Sequence, residues 1–455
     1  MTGSLLTTPE DGGARHPDTP DPSGRSLIAY GFLRAPLALL ELPLFVLLPA
    51  FYSREAGLAI AVVGLVLFAA RLVDAIADPL IGAAIDRSRG AASYRRWILA
   101  ACIPLALGFG AMLHPPGWAP SGLAVWLAIG SVLTYLAWST VTIAHQAWGA
   151  ELSANPATRV RITGIREACG LAGVLASAAL LEPQYASALA GLFVALLAIA
   201  AALLFRAPLP PAVATPRSES DNGSLPVQSA APRPPWPWRE LRRNRTFTRL
   251  LAVFMLNGTA SALPATLVLF FVADVLGDGA RAPLFLLIYF AAAALGMPLW
   301  IRIGVRIGAQ RAWLIGMMAA VLAFAGAFAL GQGDYLAFGV ICAVTGLALG
   351  ADLAMPPALL AAAIAASGGR GEREGAYFGV WSLATKLNLA LAAGLGLPLI
   401  GLLGYQPGTS DSNTLALSVA YAALPCLIKL VAAWLLWRLP SPELDSDLQR
   451  PTVNA

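Results

Sequence analysis

Charge is what this 455-residue chain has least of: Asp, Glu, Lys and Arg make up 12% of it, against 58% hydrophobic residues. Soluble domains carry roughly a quarter charged residues, and a soluble chain this apolar would lack the polar surface to cover itself. Lysine is nearly missing, since Arg supplies all but two (Lys386 and Lys429) of the 30 basic residues. The four cysteines, Cys102, Cys169, Cys342 and Cys426, are scattered through apolar stretches. Without a CxxC pair or a Cys/His cluster, they indicate neither a disulfide framework nor a metal site. HExxH, GxSxG and a phosphate-cradling glycine loop are all missing, which argues against a membrane-embedded enzyme, a cofactor and direct nucleotide drive. No signal-peptide pattern opens the chain, and residues 1–26 read as a polar, disordered tail.

What is present is hydrophobic length. Apolar runs reach the ~20 residues needed to cross about 30 Å of hydrocarbon. They predict about twelve spans, near 27–52, 57–85, 95–114, 121–150, 161–182, 185–206, 247–273, 282–306, 311–331, 334–366, 375–404 and 414–438. The stretch 207–246 is rich in Pro and Ser and closes on a basic run from Arg239 to Arg249, so it reads as a linker between bundles. The expected architecture is an all-α membrane protein: tail 1–26, six-helix bundle 27–206, linker 207–246, six-helix bundle 247–439 and tail 440–455. Arg87, Arg89, Arg95 and Arg96 follow the second span, and later even-numbered loops hold Arg159, Arg161, Arg302, Arg306, Arg311, Arg370 and Arg373. Opposite loops hold only Arg54 and Arg281. Positive loops stay inside, so both termini are expected to be cytoplasmic, in a bacterial-type plasma membrane. The formal net charge of +5 then follows from topology and implies no nucleic-acid partner. Gly82-x3-Asp86-Arg87 after span two has a basic counterpart after span eight, as a duplicated transporter should show.

Ten charges are left at membrane depth: Arg34, Glu41, Arg71, Asp74, Asp78, Arg166, Glu167, Asp352, Lys386 and Lys429. Each costs at least ~2.5 kcal/mol if it faces lipid, so each should pair or face a cavity. Asp74 and Asp78 share one helical face with Arg71. Two carboxylates about 6 Å apart repel unless a cation or proton joins them, which is the recipe for a coupling-ion site. The plainer reading is a structural pair neutralised by Arg71 and Lys386. Pro79 frees a backbone carbonyl one turn earlier that is also able to ligate an ion.

Particular strings resemble a known family. They are Tyr30-Gly31-Phe32, the run Ala70-Arg71-Leu72-Val73-Asp74-Ala75-Ile76-Ala77-Asp78-Pro79, Arg95-Arg96-Trp97, Ala147-Trp148-Gly149-Ala150-Glu151, Gly164-Ile165-Arg166-Glu167, Glu374-Gly375-Ala376-Tyr377-Phe378 and Thr385-Lys386. Together they are similar to the glycoside–pentoside–hexuronide:cation symporters, the melibiose-carrier branch of the major facilitator superfamily, over roughly 30–440. The resemblance implies the major-facilitator fold and cation-coupled sugar symport by alternating access. It implies cation-site roles for Asp74 and Asp78, a Lys near that site in Lys386, and a substrate-facing Arg in Arg166. The family's sugar-binding acid of span one falls at Ala38, and its span-four acid at or next to His145. Glu41, one turn past Ala38, either replaces the lost acid or pairs with Arg34.

Since His titrates near neutral pH and is a poor Na⁺ ligand, His145 favours H⁺ over Na⁺ as the coupling ion and is counted with the coupling residues. Trp148 and Trp381 are candidate sugar-stacking residues beside Glu41 and Arg166, with Arg34 and Arg71 as supporting charges. The expected partners are a small-molecule solute and the lipid bilayer, with the chain acting as a monomer. A lysolipid carrier of the same fold is the competing reading, and cavity polarity in the N-terminal half discriminates between the two.

Overall fold

In the computed structural model, residues 22–210 and 238–440 are described, apart from 42, 49–50, 53–56, 89–91, 118, 179, 181–182, 368–372 and 403–413. The 1–26 tail, the 207–246 linker and the 440–455 tail therefore fall largely outside the described residues. No strand occurs among those described, and the helices follow the apolar runs.

The first span is broken into α1 (Gly24–Gly31), α2 (Arg34–Leu39) and a π-helical turn at Pro43–Leu47. The N-terminal half continues with α3 (Ile60–Arg87), α4 (Ser93–Leu113), α5 (Pro120–Glu151), α6 (Pro156–Ala178) and α7 (Ala186–Leu203). After α8 (Trp238–Arg243), the C-terminal half comprises α9 (Arg245–Phe270), α10 (Ala282–Ile307), α11 (Ala309–Ala325), α12 (Tyr335–Ala366) and α13 (Glu374–Leu402). A last rod is made of α14 (Thr414–Ser418), a π-turn at Val419–Ala423 and α15 (Leu424–Trp437).

Local chemistry explains several boundaries. The Ser23 and Asn244 side chains accept from the backbone N–H three residues on, capping α1 and α9. Gly308, at φ +86°, turns the chain between α10 and α11 in a conformation that side chains resist. Among the described residues, eight helices are long and apolar enough to cross a membrane. Three further helices concern the site most directly: α3, α6 and α13. These helices carry Asp74 and Asp78 (α3), Arg166 and Glu167 (α6), and Lys386 (α13).

The halves meet along α3 with α13, and along α6 with α10 and α12. Glycines set the distance. A Cβ at Gly82 would overlap the Gly375 carbonyl, and one at Gly164 would overlap the Ile301 side chain. The Asp86 carboxylate accepts from the Gly375 and Ala376 backbone N–H groups, both at 2.7 Å, and so caps α13 from the opposite half. These approaches lie toward the end of the bundle that carries the basic even-numbered loops.

Candidate coupling and solute site

Halfway along the α3–α13 seam, two acids and one amine converge. Asp74 and Asp78 stand one turn apart on α3. Lys386 Nζ reaches across from α13 to 2.5 Å from Asp74 Oδ2 and 2.7 Å from Asp78 Oδ2. The same ammonium donates to Ser139 Oγ of α5 (2.9 Å), and Ser139 donates to Asp74 Oδ1 (2.6 Å). Asp74, Asp78 and Ser139 are buried, while the Lys386 side chain keeps 17% of its surface open. Asp78 Oδ1 is buried and takes no hydrogen bond among the described residues. With all three groups ionised, two carboxylates contact one ammonium, and the Arg71 guanidinium on the same helix also acts on Asp74. Arg71 places its guanidinium over the Tyr135 ring, 5.1 Å from the centroid.

A second cluster lies within the N-terminal half. Arg34 Nη1 is 2.8 Å from Glu41 Oε1, and Arg34 Nε donates to Glu167 Oε2 at 3.4 Å. Arg166 meets Glu167 Oε1 through Nε (2.9 Å) and Nη2 (2.8 Å). Two cations and two carboxylates balance here. Burial grades across them, from the enclosed Arg166 and Glu167 to Glu41, whose side chain is 31% exposed. Glu41 is thus paired with Arg34 and still presents an open edge. Such a ladder of fixed donors and acceptors suits a polyhydroxylated solute.

Other expected site residues are placed elsewhere. His145 is not gathered with Asp74, Asp78 and Lys386. Its Nε2 lies 2.9 Å from the Tyr30 carbonyl, and Tyr30 donates its hydroxyl to the His145 carbonyl at 2.6 Å. A carbonyl only accepts, so Nε2 carries a proton and the ring locks α1 to α5. Trp148 is fully buried, edge-on to Tyr30, and donates to the Pro208 carbonyl at 3.0 Å. Trp381 is stacked on Phe254 at 3.9 Å and is likewise buried. Neither indole offers a free face in this arrangement.

Ser139 and Glu167 hold central places that the sequence reading assigned to neither. Ser139 had no signal, because a lone serine in an apolar helix is ordinarily a packing residue. Glu167 did have one: it is a membrane-depth acid next to Arg166.

Residues 29–443 match the family described as MFS/sugar transport protein. The chain belongs to that family. Its helical architecture is that of the major-facilitator fold, as its resemblance in sequence implied. Among relatives, the inner membrane symporter YicJ of Escherichia coli is 28% identical over 134 residues, 29% of either chain. Another E. coli protein, YagG, provisionally named a glycoside/cation symporter, is 26% identical over 138 residues, 30% of each. The chain thus aligns with under a third of the length of these relatives. Among solved structures, a bacterial homologue of the iron transporter ferroportin in an outward-facing state matches with a TM-score of 0.65. It is 14% identical, over 91% of this chain and 98% of that one. The E. coli fucose:proton symporter FucP matches at 0.64, with the same identity and coverage. At that identity these two speak for the fold alone.

Proposed function

We propose that this MFS/sugar transport family member is a cation-coupled symporter for a small glycoside-like solute, working by alternating access. The observation that carries the reading is Lys386 of one half lying between Asp74 and Asp78 of the other. A coupling ion and the Lys386 ammonium compete for the same two carboxylates. Ion arrival weakens a bond between the halves, so occupancy of the site bears on which way the carrier faces. The names given to YicJ and YagG support symport, and YagG's supports a glycoside as cargo.

In this reading Arg34, Glu41, Glu167 and Arg166 hold the solute's hydroxyls. Glu41 and Glu167 supply the acceptors that Ala38 and His145 do not. The seam is packed at the basic end, which we read as the cytoplasmic face with both termini, so the solute path opens to the opposite face. Trp148 and Trp381 support helix packing in this state. The coupling ion is H⁺, taken up on Asp78, whose free buried oxygen offers the proton a place. His145 positions α1 against α5 and does not carry the proton.

The test is uptake of a panel of methyl and nitrophenyl glycosides into proteoliposomes holding the purified chain. Accumulation is expected under an inward H⁺ gradient, unchanged when choline replaces Na⁺ and abolished by a protonophore. Uptake that needs Na⁺ and ignores the protonophore overturns the choice of ion. No gradient-driven uptake of any glycoside overturns the cargo.

A further inference from the structure

The C-terminal bundle holds a half-open cavity of its own, of about 350 Å³, whose lining includes none of the residues of the seam site or of the Arg–Glu ladder. Helices α9 to α12 and the final rod wall it. Most of the wall is apolar, and much is aromatic, with Phe285, Tyr289, Phe290, Phe324 and Tyr421 around it. A cavity of this size, with apolar walls and a few polar groups, falls within the range of small-molecule sites.

Its charged end is already satisfied. Lys429 Nζ has three hydrogens and three acceptors: Asp352 Oδ2 at 2.7 Å, Asn257 Oδ1 at 2.7 Å and Ser261 Oγ at 3.3 Å. Asp352 Oδ1 in turn accepts from Trp313 Nε1 at 2.8 Å and from Asn257 Nδ2 at 3.1 Å. Ammonium and carboxylate cancel, and the ammonium keeps no spare N–H. An ionic guest would bring a charge that nothing there balances, at a high cost in this apolar setting.

The spare polarity lies in hydroxyls. Tyr421 is 2% exposed, its ring stacked on Phe271 at 4.1 Å, and its hydroxyl has no partner among the described residues. The Tyr289 hydroxyl has none either, and Ser261 accepts from Lys429 without donating to any described group. Both tyrosines and Ser261 line the same chamber. A phenol hydroxyl that lines an apolar cavity without a protein partner gains from an acceptor that a guest supplies. The stack fixes the Tyr421 ring, so its donor waits for an acceptor brought from outside.

We infer that this chamber is a second binding site, for an uncharged amphiphile with an aromatic body and a carbonyl or ester oxygen that accepts from the tyrosine hydroxyls. It shares no residue with the coupling site and does not depend on the transport reading.

Benzophenone is a suitable probe, being neutral, aromatic, a ketone acceptor and a photolabel for adjacent C–H bonds. The full chain in lipid nanodiscs is irradiated with increasing benzophenone, and the labelled peptides are identified by mass spectrometry. Saturable labelling of 260–290 and 415–430 is expected, displaced by ethyl benzoate and not matched by the anion 4-benzoylbenzoate. Replacing both hydroxyls, Tyr289→Phe with Tyr421→Phe, should raise the half-saturating concentration about 10-fold, and either change alone about 3-fold. Ala265→Phe, which fills the chamber, should abolish saturable labelling. If that variant does not fold, the isosteric double variant still decides. Labelling that never saturates and spreads over lipid-facing helices overturns the proposal. So does a double variant with unchanged half-saturation, or equal labelling by the anion.

Discussion

Lys386 is one of two lysines in a chain that otherwise uses arginine for every positive charge. An ammonium is a compact point charge on a flexible stem, able to hold two carboxylates and be displaced, whereas a guanidinium's donors are fixed in one plane. Lys386→Ala should therefore abolish gradient-driven accumulation, and counterflow exchange of the solute across the same liposomes should persist. Lys386→Arg should also fail to accumulate, which separates the chemistry of the group from its charge. Ser139→Ala removes one hydrogen bond from Asp74 and one from Lys386. It should shift the ion concentration at half-maximal uptake about 3- to 10-fold with the protein still folded, since each such bond is worth about 1 kcal/mol. An unchanged ion dependence would assign Ser139 to packing. The convergence of Asp74, Asp78 and Lys386 was legible in the sequence from depth, spacing and family strings. The positions of Trp148 and Trp381 were not, because a bundle of many helices leaves open which face of each one meets a neighbour.

At the level of elements, the seam between α3 and α13 depends on glycine contacts and on one cap. Gly82→Val would drive a side chain into the Gly375 carbonyl, so the two helices must separate at that end. Alkylation of a cysteine introduced at Ala376 should then become several-fold faster than in the parent, and protection equal to the parent would show that the seam tolerates the added atoms. Asp86→Asn keeps the shape but halves the acceptors available to the Gly375 and Ala376 N–H groups and loses the charge at a helix N-terminus, worth about 0.3–1 kcal/mol or more when partly buried. It should move the same alkylation rate in the same direction by less. Helix existence was legible from hydropathy. Breaks were marked as well, by Gly31 before Phe32 and by Pro43 at the head of the π-turn, but neither residue by itself says that the first span divides into separate helices. Asp352 and Lys429 were visible as charges at membrane depth. Their meeting with Asn257 was not, because the three lie on three helices brought together only by the bundle.

For the whole molecule, two halves with duplicated basic loops are what the sequence reading proposes, and the family match spans 29–443. Cargo is less legible, because it depends on how Arg34, Glu41, Arg166 and Glu167 are divided between pairing with one another and facing a solute. The central claim is that one cation, taken by Asp74 and Asp78 in competition with Lys386, drives accumulation. The most direct test is the ratio of internal to external solute reached by proteoliposomes under a fixed inward proton gradient, for the parent chain and for Asp78→Asn. The account predicts that the parent concentrates the solute and that Asp78→Asn only equilibrates it, to a ratio of about 1, while still exchanging it. Asp78→Asn concentrating the solute as far as the parent does would contradict the claim.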